Sequence, residues 1–136
     1  MNEVLEAMKL IVNLNVILIV IAGTICGAIV GSLPGLSGTM AIAVVLPVTF
    51  YISPWLGIPL ILAIYKSSQW AGAVGSIIIN TPGNAAGAAM VLDGYPLKQQ
   101  GHGQLALEAS LKSGWAADVF SDIVTILVCA PLAAVA

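Results

Sequence analysis

The chain has 136 residues, 60% of them hydrophobic and 7% charged, with a net charge of −2 and a mean hydropathy of +1.06. A soluble globular domain carries about 25% charged residues, so this composition is that of an integral membrane protein. All four basic residues are lysines, which leaves no polybasic patch, and no nucleic-acid partner is expected.

A short polar start, Met1 to Lys9, precedes an apolar run from Leu10 to Leu33. From Leu10 to Tyr65 there is no Asp, Glu, Lys, Arg or His. Residues 10–33 make about 36 Å of helix at 1.5 Å per residue, enough to span a bilayer with some tilt. The run exceeds a signal-peptide core of about 7–15 residues, and acidic Glu3 and Glu6 stand where a signal would be basic. It therefore reads as a retained span. Gly23, Gly27 and Gly31 recur every four residues on one face, where they permit close approach of another helix. Cys26 and Cys129 lie in apolar runs without metal-ligand spacing and read as buried thiols packing like small hydrophobes.

Gly31-Ser32-Leu33-Pro34-Gly35-Leu36-Ser37-Gly38-Thr39 breaks the apolar run. Residues 39–52 follow as a half-helix, too short to cross alone and kinked at Pro47. Ser53 and Pro54 then supply a cap and a first turn for a helix over 54–79, with Tyr51 and Trp55 at an interface belt. Lys66 lies about 12 residues into that helix, near mid-membrane depth, where a charge costs at least about 2.5–3.5 kcal/mol. Two arrangements satisfy it: it faces a watery cavity and partners an anion, or it snorkels to an interface from a shifted span. Gly72, Gly75 and Ser76 are small-residue packing positions.

A second break, Asn80-Thr81-Pro82-Gly83-Asn84, leads into a short helix over 84–92. Asp93-Gly94-Tyr95-Pro96 has turn chemistry that ends it, and residues 97–103 read as a polar loop with a solvent-exposed His102. Residues 104–117 form an interfacial helix, with Glu108 and Lys112 an i,i+4 pair. The last span runs from 119 to 136. Asp118 and Asp122 at its start fit either a solvated helix N-terminus or a proton- or cation-linked role.

The two breaks share a logic. Each has a Pro-Gly that ends one helix, then hydroxyl or amide residues, then a run of helix formers. The next helix begins with unpaired N–H groups and its positive dipole end at the break, which makes an anion site without permanent charge. Backbone freed from a helix in lipid must be buried in protein or line a cavity. Discontinuous helices of this kind hold carboxylates in several secondary transporters, and the unwound carbonyls can hold Na⁺. The expected fold class is thus all-α and membrane-embedded, with two broken-helix or re-entrant hairpin segments at Pro-Gly loops. With no nucleophile–base pair, no HExxH and a single histidine, an enzyme is not expected.

Two segments, GSLPGLSGTMAIAVVLPVTF and INTPGNAAGAAMVLDGYPLKQQGHGQLAL, resemble the large membrane subunit of the tripartite tricarboxylate transporters (TctA-like). The shared motifs are a Leu-Pro-Gly-Leu loop after a glycine-spaced helix and a Pro-Gly loop about ten residues before Asp-Gly-Tyr-Pro. The resemblance covers roughly residues 23–107. It implies a cation-coupled importer of carboxylates in the bacterial inner membrane, with Na⁺ or H⁺ as the coupling ion and no other cofactor. It also implies a small membrane subunit and a periplasmic substrate-binding protein as partners. A substrate-site role is carried onto Pro34, Gly35 and Gly38 and onto Pro82 and Gly83, with their polar neighbours Ser37, Thr39, Asn80, Thr81 and Asn84. Lys66 joins them as an added partner for a carboxylate. Ser37, Asn84-Ala85, the polar run from Lys66 to Trp70, Asp118 and Asp122 depart from the usual pattern, and bear on which carboxylate is carried.

Members of that family are several times longer and contain two related halves, and this chain resembles the first. It is expected to supply half of a site and not to transport alone, needing its missing half or self-association. The competing reading is a non-transporting structural or assembly membrane protein, or a degenerate half-gene.

Overall fold

The structure, a computed structural model, describes residues 13–135. Among the described residues every regular element is helical. Five α-helices follow in order: α1 Leu14–Ser32, α2 Gly38–Thr49, α3 Pro54–Ile79, α4 Ala85–Leu97 and α5 Gly103–Val135. A wide-turned segment, Lys98–His102, joins the last two. By length and composition α1 alone among them qualifies as a membrane span. Residues 10–12, which open the expected first span, lie outside the described residues.

Asn13 starts α1, its side chain accepting the Asn15 N–H at 3.1 Å. The glycine stripe acts as its spacing implies. Gly23, Gly27 and Gly31 are buried where α3 lies against them. A Cβ at Gly23 would meet the Ala63 Cβ at 3.0 Å, one at Gly27 would lie 2.8 Å from the Ile64 Cα, and one at Gly31 2.6 Å from the Ser68 Cα. Larger side chains would drive the two backbones apart. The other face of α1 exposes Leu14, Leu18, Ile21, Ile25 and Ile29, an apolar stripe unsuited to water.

α3 is the central element and carries most of the core: Ile64, Ala71, Ala73 and Ile77 are buried, and so are Ser68 and Ser76. The two serines fit because each donates back to its own helix, Ser68 Oγ to the Tyr65 carbonyl at 2.7 Å and Ser76 Oγ to the Gly72 carbonyl at 3.0 Å. Their hydroxyls are thereby satisfied without a partner from outside. At its start Ser53 makes no side-chain cap bond. Its backbone carbonyl instead accepts the Leu56 and Gly57 N–H groups, at 2.9 and 3.0 Å.

Four expectations need correction. The half-helix over 39–52 is Gly38–Thr49, and residues 50–52 continue it only with bonds three residues back, a tightening common at helix ends. The helix expected over 84–92 runs on to Leu97, through Asp93-Gly94-Tyr95-Pro96. Packing overrides turn chemistry there: Gly94 is buried against α3, where a Cβ would stand 2.7 Å from the Ile77 Cγ1. The chain reverses later, at Gly101 with φ +86°, while the Lys98 ammonium donates to the Ile78 carbonyl at 2.7 Å and closes the end of α3.

The interfacial helix over 104–117 and the span from 119 are one continuous helix, α5. No proline or left-handed residue separates them, so Asp118 and Asp122 sit mid-helix and not at an N-terminus. Within α5 Glu108 pairs with Lys112 at 3.1 Å as expected. The Lys112 hydrogen bond, and secondarily that of Gln104, holds the Glu108 carboxyl below its ordinary range. Cys26 and Cys129 are both exposed, not buried, on helix faces that nothing in the described chain covers.

Candidate functional site

The first break is built from a turn and a cap. Leu36 N–H bonds the Leu33 carbonyl at 3.2 Å, with Pro34 second and Gly35 third at φ +83°. That is type II turn chemistry, which needs a residue tolerant of positive φ in third place. Ser37 then caps α2: its Oγ accepts the Met40 N–H at 3.3 Å and lies 2.7 Å from the Thr39 Oγ1.

The second break repeats the plan. Asn80 takes the left-handed conformation, φ 57°, and ends α3 with its N–H on the Gly75 carbonyl. Asparagine is among the few residues other than glycine that visit this region readily. Thr81 Oγ1 donates to the Ile79 carbonyl at 3.3 Å. Asn84 caps α4, its Oδ1 accepting the Gly87 N–H at 2.7 Å, while its Nδ2 donates to the Gln69 carbonyl and Oε1, at 3.2 and 3.1 Å.

The two breaks meet on one strip of α3. Gly38 rests against Ser68, where its Cβ would stand 3.1 Å from the Ser68 Cβ, and Gly72 rests against Asn84, 2.8 Å from the Cγ. Further along α3 a Cβ at Gly75 would lie 3.2 Å from the Thr81 carbonyl oxygen and 3.4 Å from that of Ser32. One at Gly83 would lie 2.7 Å from the Gly31 carbonyl oxygen. So the C-terminal end of α1 touches the second break directly, and α2 and α4 start one turn apart along α3. Each cap takes one N–H of its helix, and the first two N–H groups of each helix have no partner within it. Helix N-termini of this kind favour an anion, and exposed carbonyl ends favour a cation.

Of the residues expected to form the site, Gly38, Thr81, Gly83 and Asn84 come together on this strip, and Ser37 caps α2 next to Gly38. Pro34 and Gly35 form the turn tip, with nothing within 4 Å of a Cβ at Gly35. Thr39 and Pro82 are exposed at the margin, and Asn80 is the helix terminator. Lys66 is elsewhere. It donates to both Asp122 oxygens, at 2.9 and 3.0 Å, and lies 3.6 Å from Asp118. This cluster borders a cavity of about 790 Å³ whose walls include Tyr65, Gln69, Trp70 and Trp115. Sequence reasoning missed Ser68 and Gln69 as the seats of the breaks. The spacing of Ser68, Gly72, Gly75 and Ser76 along one face was the available signal.

The tripartite tricarboxylate transporter TctA family matches residues 17–136 of the chain. The chain belongs to that family. It is also similar to an uncharacterized 52.8 kDa protein of the TAR-I ttuC′ 3′ region of Agrobacterium vitis, 33% identical over 114 residues. That match takes in 84% of this chain and 23% of the other, so the chain spans about a quarter of the length of the curated relative it matches. No solved structure matches it. Both break motifs fall inside the part that matches the TctA family.

Proposed function

We propose that this chain is the membrane-embedded part of a carboxylate importer of the tricarboxylate or dicarboxylate type, and that its two helix breaks form half of the substrate site. The observation that carries the reading is the meeting of the breaks on the Ser68–Gly75 strip of α3, with two capped helix starts and the end of α1 at one place. A carboxylate there would take the N–H groups at the starts of α2 and α4, with Ser37, Thr39 and Thr81 as directional hydroxyls. In the membrane the breaks would form re-entrant hairpins, since freed backbone is tolerated only where protein or a cavity surrounds it. Secondary transporters place substrates between repeats, so the other half of the site would come from a second repeat or a second copy, and the chain alone would not transport. Coupling to Na⁺ or H⁺, residence in the bacterial inner membrane, and work with a small membrane subunit and a periplasmic binding protein belong to the same proposal.

A second reading has a specific observation behind it. The Ser37 and Asn84 side chains already have partners within the chain, as a purely structural or assembly role would require. Labelled citrate uptake separates the two, measured in cells that carry the whole transport system. The importer reading predicts that Ser37→Ala and Thr39→Ala lower uptake with protein level in the membrane unchanged. Unchanged uptake in both favours packing alone.

A further inference from the structure

The Asn84 side chain is held from two sides. Its Oδ1 accepts the Gly87 N–H at 2.7 Å, and its Nδ2 donates to the Gln69 carbonyl and Oε1 at 3.2 and 3.1 Å. Those partners fix the orientation of the amide, because a backbone N–H only donates and a backbone carbonyl only accepts. An amide nitrogen carries two hydrogens, and both acceptors for them belong to Gln69. Asn84 therefore has no donor left for a carboxylate. Capping does not account for this second attachment. Ser37 caps α2 with one oxygen, and its other contact is Thr39 on the same helix. Asn84 caps α4 with one oxygen and is tied in addition to α3, 15 residues back. The space around it is closed: a Cβ at Gly72 would stand 2.8 Å from the Asn84 Cγ, and one at Gly87 3.2 Å from its Oδ1.

We propose that Gln69 is a positioning residue for the second break. It holds Asn84, and through Asn84 the start of α4, so that the free N–H groups of that helix keep one direction relative to α3 and the first break. Asn84 acts as the link and not as a substrate ligand. The effect on substrate rests on the importer reading; the effect on the order of the break does not. Two variants cut this link from opposite ends. Gln69→Met keeps the side-chain length and the main-chain carbonyl but removes Oε1. Asn84→Ser keeps a good N-cap oxygen and carries no amide to reach Gln69.

Labelled citrate uptake over a range of concentrations, in cells that carry the whole transport system, gives the first readout. Each variant should raise the half-saturating concentration about two- to tenfold, the range that one neutral hydrogen bond spans. Membrane protein level should be unchanged. The double variant should be no worse than the worse single one, since both cut one link. Protease cleavage at the second break of the solubilised chain gives the second readout, independent of transport. It should rise in Gln69→Met, with cleavage at the first break unchanged. A half-saturating concentration that Gln69→Met leaves unchanged while the wild type takes up citrate overturns the proposal and spares the importer. Effects that add in the double variant overturn it too, because Gln69 would then act by a route other than Asn84. A wild-type system that takes up no citrate sinks the importer, and raised cleavage in Gln69→Met then still upholds Gln69 as what orders the break.

Discussion

Gly27 and Gly35 show how differently two glycines can be required. A Cβ at Gly27 would press into the α3 backbone at Ile64, and no rotamer relieves a clash with main chain. Gly27→Ala should destabilise the α1–α3 pair by about 1–3 kcal/mol, read as a lower midpoint in denaturant titration in detergent. Gly35 has open space around it but a φ of +83°, so Gly35→Ala should cost about 1–2 kcal/mol through backbone conformation alone. Enlarging the substituent further should then worsen Gly27 variants and leave Gly35 variants near the alanine value. The α1 stripe was legible in sequence because its period is that of a helix. The Lys66–Asp122 pair was not, since a contact 56 residues apart leaves no local pattern. Asp118 and Asp122 one turn apart looked like a helix start for want of the lysine that explains them.

Among the elements, α4 is where local chemistry misled. Asp93-Gly94-Tyr95-Pro96 has the residues of a turn, yet Gly94 serves helix packing. Gly94→Ala should shorten or loosen α4, and Ile77→Ala should cost less in that background than alone, because it removes the Cγ1 and Cδ1 nearest to the added carbon. A double-mutant cycle with a coupling of at least about 0.5 kcal/mol would support this contact, and additive losses would argue against it. The caps make a second test. Ser37→Ala and Asn84→Ala each remove an N-cap acceptor, for about 0.5–2 kcal/mol. Asn84→Ala should be the larger loss, since it also frees Gln69. Protease cleavage at the second break should rise in Asn84→Ala and not in Ser37→Ala. The breaks themselves were legible, because Pro-Gly in an apolar run has few structural uses. Their meeting place was not, since it depends on how α1, α2 and α4 each dock on α3.

Among the described residues much of the exposed surface is apolar: the outer face of α1, and on α5 the side chains of Phe120, Ile123, Ile126, Leu127 and Val128. Surface of that kind requires lipid or more protein, which agrees with a chain that matches only 23% of its relative's length. The membrane class was legible from composition alone, and the family from two short motifs. The breaks are proposed to face a carboxylate. The direct measurement is thiol labelling of Thr39→Cys in native membranes, in a background with Cys26→Ser and Cys129→Ser, with and without citrate. Citrate should slow labelling at Thr39→Cys by about tenfold or more, as occupancy near saturation requires, and leave Tyr51→Cys at the exposed end of α2 unaffected. Equal labelling of Thr39→Cys with and without citrate, at concentrations that saturate uptake, would contradict the claim.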